Sequence, residues 1–66
     1  MNIQGRALTK DDKGSKVTYV PPHANGNASH ADSDGGLITS WNYLFVFVDY
    51  GTGHPQATTP SDLVWG

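Results

Sequence analysis

Apolar positions are sparse in this chain and come in short runs separated by turn-forming residues. The longest such stretch runs from Gly36 to Tyr50, reading GLITSWNYLFVFVDY. Within it Leu44, Phe45, Val46, Phe47 and Val48 follow one another, too few for a self-standing helix and rich in strand formers. An apolar run without polar alternation predicts a strand buried on both faces. Strand geometry puts Tyr43, Phe45, Phe47 and Asp49 on one face and Leu44, Val46, Val48 and Tyr50 on the other.

The flanking pattern predicts further short strands. Residues 3–8 read as a first strand interrupted by Gly5, or equally as a mobile arm, so residues 1–13 are assigned to one or the other. Lys10-Asp11-Asp12-Lys13-Gly14 is a polar turn. Residues 16–21, KVTYVP, form a strand with Val17 and Tyr19 on one face, ended by Pro21-Pro22 because neither proline donates to a ladder. A loop of fourteen residues, PHANGNASHADSDG, then runs from Pro22 to Gly35. A loop this long in a small domain is more often functional than neutral. Gly36 to Trp41 is the next strand, Trp41-Asn42-Tyr43 a tight connection, and Leu44 to Tyr50 the central strand. Gly51 to Pro55 makes a hairpin loop and Gln56 to Thr59 a returning strand. Thr59-Pro60-Ser61-Asp62 has the Thr and Pro of a capped 3₁₀ turn, and Leu63-Val64-Trp65 closes the chain as a strand. The expected fold is all-β: one domain over residues 1–66, a small SH3-like barrel of four to five short antiparallel strands, with a 3₁₀ turn before the last strand. Closure removes exposed strand edges.

Composition supports the β reading. All six acidic residues are Asp, and eight Gly and four Pro accompany them; Asp favours turns and caps, where Glu would favour helix interiors. The 66 residues allow burial of only about 60% of the unfolded surface, so the core is thin. With no cysteine there is neither disulfide framework nor thiolate metal site. That, with no secretion signal or long apolar segment, predicts a soluble protein of a reducing cytoplasm with no membrane partner.

Charge is segregated. The four cations, Arg6, Lys10, Lys13 and Lys16, all precede Val17, and only Asp32, Asp34, Asp49 and Asp62 are charged after it. Phosphate binding needs clustered cations, so direct nucleic-acid binding is not expected. Mimicry of DNA is poorly served by so small an acidic excess.

Two strings carry a resemblance. Val17-Thr18-Tyr19-Val20-Pro21-Pro22-His23-Ala24-Asn25-Gly26-Asn27-Ala28-Ser29-His30, followed by Gly36-Leu37-Ile38, Phe45-Val46-Phe47-Val48 and Gln56-Ala57-Thr58, resembles a group of very small phage and prophage proteins, over most of the chain. The resemblance implies a setting, the cytoplasm of a phage-infected bacterium, and no activity. Gly14, Val17 and Tyr19, then Gly36-Leu37-Ile38, then Val46-Phe47-Val48-Asp49-Tyr50, are similar in spacing to Tudor-like modules, which implies fold alone.

Candidate chemistry concentrates in the long loop. His23, His30, Asp32 and Asp34 supply imidazole and carboxylate ligands suited to zinc, and a bound metal would support a thin core. The spacing H-x₆-H-x-D-x-D matches no established metal motif, and solvated turn residues are the plainer reading. No serine-nucleophile elbow or phosphate-binding glycine loop occurs, and a small domain offers little room for an active site; the chain reads as non-enzymatic. Trp41, Tyr43 and Leu44 near a hairpin tip, with Asp49, Asp32 and Asp34, suit contact with a basic protein surface. The leading expectation is a phage accessory module binding a host or phage protein, with a homo-oligomer also compatible. Metal or small-ligand binding through the loop and a structural role in the virion are the alternatives.

Overall fold

A computed structural model describes residues 1–27 and 29–66; Ala28, part of the motif string above, lies outside them. Among the described residues seven strands follow in order: β1 (Asn2–Ile3), β2 (Arg6–Ala7), β3 (Lys16–Tyr19), β4 (Asp34–Trp41), β5 (Val46–Asp49), β6 (Gln56–Thr58) and β7 (Leu63–Trp65). Single 3₁₀ turns occupy Lys10–Asp12, Pro22–Ala24 and Pro60–Asp62. The last of these stands where the Thr-Pro-Ser-Asp string predicts it, directly before the final strand.

The all-β expectation holds, but the barrel does not. The strands form two antiparallel sheets, a β1-β2 hairpin and a five-stranded sheet in the order β6-β5-β4-β3-β7. The two end strands, β6 and β7, do not pair with each other, so neither an SH3-like nor a Tudor-like barrel is closed. Local chemistry explains why. The outer edge of β7 is covered from the N-terminal hairpin by side-chain bonds instead of by a strand. The Trp65 backbone N–H donates to Gln4 Oε1 at 3.0 Å, and the Trp65 indole N–H donates to the Ile3 carbonyl at 3.0 Å. Arg6 lies over the Trp65 ring, 3.7 Å from its centroid. The hairpin itself turns at Gln4 and Gly5, both at positive φ (50° and 80°), the conformation demanded by a two-residue turn that matches strand twist.

β4 is the spine of the larger sheet. Its first half pairs with β3, from Tyr19↔Asp34 to Lys16↔Leu37, and its second half pairs with β5, from Leu37↔Asp49 to Trp41↔Val46. Leu37 belongs to both ladders. The register slips between Ile38 and Ser40, leaving Thr39 as the extra residue of a bulge, its hydroxyl donating to the Phe47 carbonyl at 3.0 Å. An extra residue reverses which side chains face inward. Ile38 and Trp41 therefore both lie opposite inward-facing valines, Val48 and Val46.

The core consists of Ile3, Val17, Ile38, Val46, Val48 and Leu63, all buried, with Met1, Leu8, Tyr19, Trp41, Tyr50 and Trp65 packed around it. The prediction of a strand buried on both faces fails here. Along β5 only Val46 and Val48 are buried, Phe47 is half-buried, and Leu44 and Phe45 are exposed outside the strand. An open single sheet has one covered face, so alternation is enforced even on an uninterrupted apolar run. The central strand is accordingly β4, not the apolar run.

Candidate metal-binding site

The long connection between β3 and β4 is built from successive turns. Pro21 and Ala24 are buried, pinning the start of the loop to the body. The Pro22–Ala24 turn ends at Asn25, which takes the left-handed conformation (φ 52°, ψ 40°) and passes to Gly26 at φ 78°. An Asn-Gly pair meets that requirement at low steric cost. Asn27 then organises the rest: its side-chain oxygen accepts from the Ser29 N–H at 2.9 Å, and its carbonyl accepts from the His30 N–H at 3.0 Å and the Ser33 hydroxyl at 3.1 Å. The His30 carbonyl accepts from the Ser33 N–H at 2.9 Å. The fourteen-residue loop predicted from sequence is thus structured at both ends, since Pro22–Ala24 is a 3₁₀ turn and Asp34 and Gly35 already belong to β4.

These turns bring His23, His30 and Asp32 together. One potential ligand atom from each lies within 4.8 Å of the others, a cluster capable of coordinating a metal ion. His23 Nε2 is 2.7 Å from Asp32 Oδ2, and the two imidazoles meet edge to face with centroids 5.3 Å apart. The Asp32 N–H donates to His30 Nδ1 at 3.0 Å. The hydrogen bond from His23 holds the Asp32 carboxyl below its ordinary range, with the charges of His23 and His30 acting in the same direction and desolvation opposing them. The cluster thus sets one carboxylate beside two imidazoles, side chains of types that can coordinate a metal ion.

Asp34, the fourth ligand proposed from sequence, is not part of that cluster. It stands at the start of β4 and lines a cleft of about 520 Å³ together with Asp32, Tyr19, Tyr50 and Asp62. Burial pushes the Tyr50 phenol above its ordinary value, and the neighbouring Asp34 and Tyr19 add to the shift, against a hydrogen bond to Thr58.

The remaining residues expected to contact a partner are dispersed. Tyr43 and Leu44 project from the β4-β5 connection, 88% and 55% exposed, while Trp41 packs against the core. The Asp49 carboxylate is occupied within the fold, accepting from the N–H groups of Gly51, Thr52 and Gly53 at 2.9, 3.1 and 3.2 Å. The sequence reading missed the cleft lining contributed by Tyr19, Tyr50 and Asp62; the alternation of β3 and β5 hinted at the tyrosines, but nothing local placed Asp62 beside them.

No protein family, curated protein or solved structure matches this chain. The likeness to small phage proteins therefore rests on the motif strings alone. Among the described residues no helix is long and apolar enough to cross a membrane.

Proposed function

We propose that this protein binds a transition-metal ion, zinc by preference, through His23, His30 and Asp32. The observation that carries the reading is the convergence of three ligand atoms within 4.8 Å, from residues up to nine positions apart. Two imidazoles and a carboxylate suit zinc in ligand type and charge. The turn network of Asn27 and the buried Pro21 and Ala24 support it further, because they hold the loop before any metal arrives and reduce the ordering cost of binding. The motif strings favour a phage-infected bacterial cytoplasm as the setting.

Calorimetric titration of the metal-free protein with zinc is expected to give one site per chain. His23→Ala and His30→Ala are each expected to weaken it at least about tenfold, the scale on which even supporting groups around a metal matter. The alternative is a surface His-Asp pair bonded only to itself. In that case zinc produces neither heat nor a shift in melting, and the proposal is wrong. Affinity is also expected to fall in acid, because protons compete with the metal for imidazole nitrogen.

A further inference from the structure

The cleft of about 520 Å³ shares Asp32 with the histidine loop, and its chemistry differs from that of the metal cluster. Three carboxylates line it, Asp32, Asp34 and Asp62, along with the rings of Tyr19 and Tyr50. Among the described residues, none of the chain's cations lines it. Arg6 is engaged elsewhere, paired with Asp12 and stacked on Trp65, and Lys16 lies in a neighbouring groove formed with Leu37 and Asp49. Neither the Asp34 nor the Asp62 carboxylate has a hydrogen-bond or ion-pair partner among the described residues. Tyr50 is held by its hydroxyl, 2.8 Å from Thr58 Oγ1, so its ring is fixed in the wall. Carboxylates beside tyrosine faces favour a desolvating ammonium or guanidinium group.

A separate observation concerns the floor. Residues 56–59 all line the cleft, and most of them form β6, the end strand of the five-stranded sheet. β6 pairs with β5 on one side, through Val46↔Thr58, Phe47↔Ala57 and Val48↔Gln56, and among the described residues no strand pairs with its other side. Gln56 and Ala57 are exposed. An uncovered strand edge is a template for an added strand. The acidic walls thus flank a main-chain edge of the right form for an extended peptide.

We propose that the cleft docks an extended basic peptide segment of another protein. The segment adds its backbone along β6 and places an Arg or Lys side chain between Tyr19 and Tyr50 towards Asp34 and Asp62. Charge complementarity selects the basic occupant, and the strand edge selects a peptide over a free small cation. Asp32 belongs to both the cleft lining and the metal cluster, whereas the proposed contacts are Asp34 and Asp62, so the test uses chelator-treated protein.

Fluorescence anisotropy with a labelled Arg-Thr repeat peptide is expected to show saturable binding. The double variant Asp34→Asn/Asp62→Asn is expected to weaken it at least about tenfold, as loss of close charge partners does. Asp11→Asn, which removes an exposed charge outside the cleft, should leave it unchanged. Amide hydrogen exchange at residues 56–58 should slow when the peptide binds. Several results overturn the proposal: equal weakening by Asp11→Asn, which means unspecific attraction; displacement of the peptide by spermidine at equal affinity without protection of β6, which means a small-cation site; and self-association abolished by Lys10→Ala/Lys13→Ala, which assigns the cleft to a second copy. Absence of binding overturns it as well.

Discussion

At the scale of single residues, two positions show how little tolerance a thin core leaves. Gly36 lies where the backbone of β4 passes β5. A Cβ there would stand 2.6 Å from the Asp49 carbonyl oxygen and 2.6 Å from a Val48 methyl. Backbone cannot yield as a flexible side-chain end can, so Gly36→Ala is expected to destabilise the fold by about 1–3 kcal/mol in urea denaturation, the range for overpacking. Asp12 is buried, the one acid that is so among the described residues. Its carboxylate accepts from the Thr9 N–H at 2.9 Å and pairs with Arg6. The Thr9 bond, with the Arg6 charge and hydrogen bond, holds its carboxyl below the ordinary value despite desolvation. A lowered folded value means that the stabilisation is present above the unfolded value, near pH 4, and is lost as pH falls through the folded value. Asp12→Asn is therefore expected to lower the melting temperature by several degrees at pH 7, and the gap to the parent protein should close in acid. A gap that persists unchanged at pH 2 would show that packing, not charge, makes Asp12 matter. Neither role was legible beforehand: Gly36 read as a strand start and Asp12 as part of a polar turn, because both depend on neighbours distant in sequence.

At the scale of elements, the connections are determined locally and the strands are not. Asn42 closes the β4-β5 turn with its side-chain oxygen, which accepts from the Leu44 and Phe45 N–H groups, both at 2.8 Å. Asp49 does the same for the β5-β6 turn with three donors. Short polar side chains that bond to backbone one to four residues away are readable from sequence, and the tight connection predicted at Trp41-Asn42-Tyr43 holds such a residue in Asn42. Asp49→Ala leaves three N–H groups without their acceptor and is expected to cost about 1–2 kcal/mol, with the largest loss of amide protection at Gly51 and Thr52. Equal protection there in both proteins would mean that water replaces the carboxylate at no cost. The bulge at Thr39 is a different matter. It directs Trp41 inward, away from the solvent-facing role expected of it near a hairpin tip. Deleting Thr39 makes Ser40 follow Ile38 directly, so the Ile38↔Val48, Ser40↔Phe47 and Trp41↔Val46 pairs run in simple alternation. Trp41 should then stay inward with its tryptophan emission unshifted, and a red shift would show that Thr39 is not the extra residue. No residue type at positions 38–40 announces a bulge; the register is chosen by which side chains fill the core.

At the scale of the molecule, the Cα radius of gyration of 10.9 Å is close to the roughly 11 Å of a compact chain of this length. The N-terminal segment is thus folded onto the body instead of trailing from it. A metal that binds only the folded state adds stability in proportion to its concentration, about 2.7 kcal/mol at a hundred times its dissociation constant. Saturating zinc is therefore expected to raise the melting temperature clearly, and a chelator to reverse it. An unchanged melting curve at saturating zinc would contradict the metal reading. The amino-acid sequence by itself determined the all-β class, the turn positions, the 3₁₀ turn before the last strand and the ligand types held in the long loop. Each follows from preferences of a residue and its near neighbours, which act over a few bonds. Only the tertiary structure decided that the sheet stays open, that the valines and not the phenylalanines form its core, and that His23 and His30 meet Asp32 while Asp34 joins Tyr19, Tyr50 and Asp62 across a cleft. Those outcomes turn on which distant surfaces exclude water together. Trp65 bonded to the N-terminal hairpin is the clearest case, since that contact occupies the edge a barrel would have needed for closure.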